Sequence, residues 1–286
     1  MEDPEALRAA IVAWARNDVR VEAVVQTGSR ARGTGVDAFS DLDVEIIGRG
    51  WRELFADVSW SGAFGRVLVS VSTTPEEFAE ERATRLVVYG GGRKVDFTLA
   101  GPERLEGFRR EGLDDLYERG HLVLLDKTGV TEGLPAATGA APVPRRPGRE
   151  EFDHAVAEFW FEATQVPIYL ARGDLWVVKF RDTTMKEFLL DMLQWYAAVE
   201  GAADVWHIGH RMDQWLPEHI WKALQETYGR FDAADGWRAL RATNRVFAEV
   251  AEVVAERCGF ASCAGLAEDV GRLVDAIERR AREGSF

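Results

Sequence analysis

The 286-residue chain is 47% hydrophobic and 10% aromatic, a globular composition with too much apolar surface for disorder and a length for one large domain or two ordinary ones. No apolar run reaches the roughly 18 residues that a membrane-spanning helix needs, so no membrane partner is expected. Lys and Arg number 35 against 48 Asp and Glu, and the net charge of −13 repels a polyanion such as DNA or RNA while suiting a small cationic partner.

Glu5 to Trp14 reads as a helix, and Ala23-Val24-Val25-Gln26 as a short strand ended by Gly28. Leu42 to Ile47 alternates with period two and stops at Gly48. Val67 to Val71 and Leu86 to Tyr89 are β-branched runs. Lys94 to Leu99 alternates again, and Gly90-Gly91-Gly92 before it reads as a hairpin turn. A helix is expected from Glu103 to Phe108 and a further strand over Leu122 to Leu125. The stretch Ala136 to Arg149, with three prolines and two glycines, reads as an extended linker.

Beyond it the pattern is helical. Phe152, Val156, Phe159, Ala163, Val166 and Leu170 share one helix face, with Pro167 expected to kink its last turns. Met185, Phe188, Leu189, Met192 and Tyr196 form a second such face, and two more helices are expected within Ala234 to Arg257 and Leu266 to Arg282. The expected fold class is α+β. A mixed β-sheet flanked by helices spans residues 1–138, a linker 139–149, and an all-α helical bundle 150–286. Cys258 and Cys263, with no histidine near, imply neither a disulfide framework nor a zinc site but two buried thiols. The acidic opening Met1 to Glu5 lacks the order of a secretory leader, so a cytoplasmic protein is expected, as a monomer or homodimer.

Chemistry concentrates in the first half. Asp41 and Asp43 stand two residues apart on an expected strand, so their carboxylates share one side of the sheet. Such a pair repels unless a cation lies between, and hard divalent ions take oxygen ligands of this kind. Asp96 lies between apolar Val95 and Phe97, so it faces away from them and joins the pair if the strands are neighbours. The bland alternative pairs Asp96 with Arg93. Gly28-Ser29 directly after a strand brings backbone N–H groups and a hydroxyl to phosphate oxygens, and Arg30 adds positive charge. The segment lacks the Gly-Lys-Ser/Thr ending of a Walker loop.

The order Gly28-Ser29, Asp41-x-Asp43, Asp96 resembles the nucleotidyltransferase superfamily of the DNA polymerase β type. Within it, GSRA at 28–31, DAFSDLDVEII at 37–47, GGRKVDFTL at 91–99, HLVLLDK at 121–127, EFW at 158–160 and YLARGDLW at 169–176 resemble the aminoglycoside 6-adenylyltransferases, or streptomycin adenylyltransferases. Leu42 and Ser40 depart from that pattern and leave the acceptor open, while the aspartates are intact.

The resemblance implies transfer of AMP from ATP to a hydroxyl of a cationic aminoglycoside, the 6-hydroxyl of streptomycin, as an antibiotic-resistance activity. Asp41, Asp43 and Asp96 would hold magnesium, with two ions expected roughly 3.5–4 Å apart. Asp96 serves there as a metal ligand or as the general base, a choice that sequence leaves open. Gly28, Ser29 and Arg30 would grip the triphosphate, with Lys179 reaching it from the helical half. Glu158, Glu162, Gln165 and Tyr169 share a helix face, and Asp182 lies on another with Lys179 and Lys186. Glu158, Glu162, Tyr169 and Asp182 are the expected wall for a guanidinium-bearing acceptor, against the alternative of solvated surface ion pairs. The rival functions are the same chemistry on a lincosamide, another aminoglycoside or a protein hydroxyl, and a nucleotide-binding regulator without catalysis.

Overall fold

The computed structural model describes residues 1–73, 81–202, 204–205 and 207–284. The chain forms two compact units, Met1–Ala141 and Pro142–Phe286.

The first unit is built on one mixed sheet of β1 (Ala23–Thr27), β2 (Leu42–Ile47), β3 (Val67–Ser72), β4 (Arg82–Tyr89), β5 (Lys94–Ala100) and β6 (Leu122–Asp126), in the order β3-β4-β5-β2-β1-β6. The β2–β5 pair is parallel, with Asp43 opposite Asp96, and the other pairings are antiparallel. The β4–β5 hairpin turns as the glycine run suggests. Gly92 donates to the Tyr89 carbonyl at 2.8 Å and sits at φ +91°, a left-handed conformation that glycine adopts without strain.

Strand alternation divides the side chains between two cores. Leu42, Val44, Ile46, Val95, Phe97 and Leu99 pack with Leu7 and Ile11 of α1 (Pro4–Asn17) and Trp51 and Leu54 of α3 (Trp51–Ala56). Asp3 caps α1 by accepting from Ala6 N at 3.1 Å, and Pro4 starts it. On the other sheet face Ala23, Val25, Ile47 and Ala100 meet Leu105 and Phe108 of α4 (Pro102–Glu111) and Tyr117 of α5 (Asp115–Glu118). The chain enters α2 (Gly28–Arg32) directly from β1.

The second unit is helical, with α6 (Arg149–Arg172), α7 (Leu175–Val199), α8 (Met212–Trp215), α9 (Glu218–Gln225), α10 (Ala233–Cys258) and α11 (Ala264–Arg282). The expected α6 face is buried from Phe152 to Leu170, and Phe159 stacks on Phe247 of α10. Helix α6 runs through Pro167 and ends only at Gly173, in the left-handed conformation. It also begins at Arg149, a residue that composition assigns to the linker, because Glu151 reaches back to the Gly148 N–H at 2.8 Å and closes the first turn. Met185, Leu189, Met192 and Tyr196 are buried as their spacing requires, and Phe188 is partly buried. Cys263 is buried, while Cys258, at the end of α10, is only half-buried; both are unpaired. Among the described residues no helix is long and apolar enough to cross a membrane.

Candidate active site

Parallel pairing of β2 with β5 sets Asp43 beside Asp96 on one sheet face, and Asp41 lies one residue before β2. The three carboxylates each offer an oxygen within 4.8 Å of the others. Burial, then the charges of Asp41 and Asp96, push the Asp43 carboxyl up to about 7. Asp96 is also raised, chiefly by burial, and its Oδ1 is buried without a hydrogen-bond partner among the described residues. A set of close, partly desolvated carboxylates with an orphan oxygen fits magnesium, a hard cation that takes oxygen ligands. The residues present therefore suit the metal.

Gly28 makes the geometry possible. It has φ +70°, and a Cβ built on it would fall on Asp43 Oδ2. The strand-to-helix turn thus passes against the carboxylate with no room for a side chain. Ser29 is half-buried at the start of α2.

Arg30 engages the loop before β2. Its Nε donates to the carbonyls of Asp41 at 3.0 Å and Ser40 at 3.3 Å, and its Nη2 to Ser40 at 3.0 Å. Arg93 holds the same loop, donating to the carbonyls of Ala38 at 3.2 Å and Ser40 at 2.6 Å. Asp37 Oδ1 closes the turn by accepting from the N–H groups of Phe39 and Ser40, each at 2.8 Å. Two guanidinium groups therefore fix the backbone that presents Asp41, and neither pairs with Asp96.

Asp96 is paired instead by Lys94. Its Nζ lies 2.7 Å from Asp96 Oδ2 and 3.0 Å from Asp41 Oδ2. Burial works against the Lys94 charge, but the bonds and charges of Asp96 and Asp41 prevail, and its pKa is raised. Sequence reading passed over this lysine. The signal lay in the alternation, because Lys94 stands two residues before Asp96 and shares its face. Behind the site, buried Glu45 accepts from Arg104 Nε, whose Nη2 also reaches Asp114 at 2.7 Å.

In the helical unit most of the expected residues are engaged by neighbours within that unit. Glu162 receives Arg181 on both oxygens, at 3.1 and 2.8 Å, and the same guanidinium lies over the Tyr169 ring. Asp182 holds Lys186 at 2.7 Å, which also donates to Thr243 of α10. Lys179 donates to the Gly229 carbonyl at 2.6 Å. The half-buried Glu158 carboxylate has no ion-pair partner among the described residues.

A magnesium-ready carboxylate triad beside a glycine-serine turn, on a mixed sheet in an α+β fold, is the arrangement expected of nucleotidyltransferases. The family model for streptomycin adenylyltransferase matches residues 1–275, and the chain belongs to that family of nucleotidyl-transferring enzymes. It is 25% identical over 256 residues to an aminoglycoside 6-adenylyltransferase of Campylobacter jejuni, covering 86% of this chain and 85% of that one. Among solved structures it is similar to an aminoglycoside 6-adenyltransferase from Bacillus subtilis, with 19% identity, a TM-score of 0.47 and coverage of 97% and 99% of the two chains. A nucleotidyltransferase-like protein from Exiguobacterium sibiricum is 12% identical, with a TM-score of 0.33 and coverage of 96% and 91%.

Proposed function

We propose that the chain transfers AMP from ATP to the 6-hydroxyl of streptomycin, with Asp41, Asp43 and Asp96 holding magnesium. The observation that carries this reading is the convergence of those three carboxylates beside Gly28, in a chain of the streptomycin adenylyltransferase family. When bound, two magnesium ions would supply Lewis-acid polarisation of the phosphoryl oxygens.

The protein's own groups do the rest. Gly28 lets the turn pass directly beside Asp43, and the Ser29 N–H and hydroxyl donate to the nucleotide's β- and γ-phosphates. Arg30 and Arg93 keep the Asp41 backbone fixed, so the carboxylates need little rearrangement. The drug hydroxyl oxygen bonds to the α-phosphorus while the bond to pyrophosphate breaks, and pyrophosphate leaves with the electron pair. Asp96, whose pKa burial raises, accepts the hydroxyl proton.

Glu158 is the carboxylate assigned to a streptomycin guanidinium, because it has no ion-pair partner among the described residues. Glu162 and Tyr169 already cradle Arg181, and Asp182 holds Lys186, so these three shape the acceptor wall through their neighbours. The relative from Campylobacter jejuni, named for transfer to an aminoglycoside, supports this choice of acceptor. Two unpaired thiols and the use of ATP fit a cytoplasmic enzyme.

The test is pyrophosphate release across aminoglycosides and a lincosamide, each with ATP and with GTP. Streptomycin with ATP should give the highest kcat/KM. Turnover of another acceptor with none of streptomycin refutes the acceptor, and failure of every acceptor with either nucleotide refutes catalysis.

A further inference from the structure

The ammonium of Lys94 bonds two of the three carboxylates that the proposed chemistry assigns to a metal. Its Nζ bonds one oxygen of Asp41 and one of Asp96, while Asp43 feels it only through charge. Asp96 Oδ1 is left open for a divalent ion, but an ion shared by Asp41 and Asp96 would sit against an ammonium that bonds the other oxygen of Asp96 and one oxygen of Asp41. Lysine and metal therefore compete for the charge of the same two carboxylates. The lysine can also leave, because its side chain is 40% exposed and its stem is flexible.

We propose that Lys94 is a resident counter-cation of the triad, holding Asp41 and Asp96 in register without metal and making metal binding wait for the nucleotide. This rests on the reading of the triad as the magnesium site. Three carboxylates and one bonded ammonium leave a site that a bare divalent ion enters against the repulsion of a cation already in place. A metal arriving with a triphosphate brings its own negative charge, on which the displaced ammonium can settle. Lys94 thereby couples the two ligands, and the coupling is reciprocal: nucleotide tightens metal as much as metal tightens nucleotide. A lone ion then binds too weakly to fill the site in advance. Lys94 is a positioning residue in this account, acting on the aspartates and not on the reacting atoms.

The test is a titration of Mn²⁺ into the metal-free full chain, with free Mn²⁺ read by electron paramagnetic resonance, with and without the unreactive analogue α,β-methylene-ATP. Removing one positive charge a few ångströms from the ion is worth at least about tenfold in affinity at a near-surface dielectric. Lys94→Met should therefore bind Mn²⁺ at least about tenfold tighter than wild type without nucleotide, and the tightening caused by the analogue should shrink. Lys94→Arg, which keeps the charge, should stay near wild type. If Lys94→Met does not fold, Lys94→Gln takes its place, and Mn²⁺ should raise its melting temperature more than that of wild type. Nucleotide-free Mn²⁺ affinity in the neutral variant equal to or weaker than wild type overturns the proposal. Asp43→Asn separates the two readings. If the analogue supports Mn²⁺ binding that Asp43→Asn abolishes, the metal site stands and only the role of Lys94 is at stake. If wild type binds no Mn²⁺ even with the analogue, the metal site itself fails.

Discussion

The two units treat charge in opposite ways. In the sheet unit, three carboxylates converge and one lysine answers two of them, leaving Asp43 with its carboxyl pushed up to about 7. In the helical unit, several buried or half-buried charges come already matched: Arg181 on Glu162, Lys186 on Asp182, Arg241 on Asp275 and Glu278. Excess like charge at a desolvated site is unstable by itself and marks a place that awaits an external cation. Matched charge stabilises or positions, and it gives no such signal. The helical unit still carries 23 acidic against 15 basic residues over 151–286, so long-range attraction for a cationic drug is spread over it and should weaken with salt.

The contrast breaks most visibly at Asp43. Asp43→Asn should lower turnover by at least ~10³-fold, as expected for losing roughly 4 kcal/mol of transition-state stabilisation. Gly28→Ala should do the same by driving a methyl into that carboxylate. Circular dichroism on each should show the fold retained. In the metal-free protein, Asp43 also sets a pH dependence. Its folded pKa is raised above the unfolded value, so the native state holds the proton longer. Its contribution is favourable at acid pH and is lost as pH rises from about 4 to about 7. Asp43→Asn should therefore melt higher than wild type at pH 8, by a margin that closes toward pH 4. A margin that does not change with pH would show that the carboxyl is not strained.

Next in size is the buried pair behind the site. Arg104→Met leaves Glu45, fully buried on β2, without its guanidinium, and should cost about 3–5 kcal/mol in urea unfolding. The helical unit gives a smaller, sharper contrast. Glu158→Gln should raise KM for streptomycin by roughly 10-fold, the value of one charge-assisted hydrogen bond, with KM for ATP unchanged. Glu162→Gln should act through stability, since its partner Arg181 is left half-buried. Equal effects on KM from both variants would mean that Arg181 yields its place to the drug. The smallest effect concerns the junction, which we propose is an exposed linker between independently packed units. Trypsin should cut first after Arg145, because Arg146 precedes a proline and Arg149 lies in the first turn of α6. Two fragments of about half the chain would follow, and earlier cuts elsewhere would count against the boundary.

Elements with a single strong period were legible in the sequence. The alternation of β2 and β5 and the apolar faces of α6 and α7 need only local spacing, and the same alternation sets Asp43 and Asp96 on one side. Contacts across space were not legible. Arg93 is next in sequence to Lys94 but lies just before β5, and it reaches Ser40 instead of Asp96. The charge of Arg30 was visible in the sequence, whereas the carbonyls of Asp41 and Ser40 that it engages were not. Glu162 looked unspent because its partner, Arg181, sits on the next helix. Sequence shows which charges exist; only the fold shows which are already answered.

The parallel pairing of β2 with β5 bears on how the molecule assembles. Between those strands the chain makes the whole β3–β4 excursion, and Lys94 and Asp41 are 53 residues apart. The site therefore forms by closing a long loop, a slow kind of contact to nucleate. The closing strands also carry like charges into contact, so the step that completes the sheet is opposed by the groups that make it useful. Lys94 travels on the same strand as Asp96 and offsets part of that opposition as it arrives. Refolding of the sheet unit should accelerate with added salt or a divalent cation, and refolding of the helical unit, built from neighbouring helices with matched charges, should not.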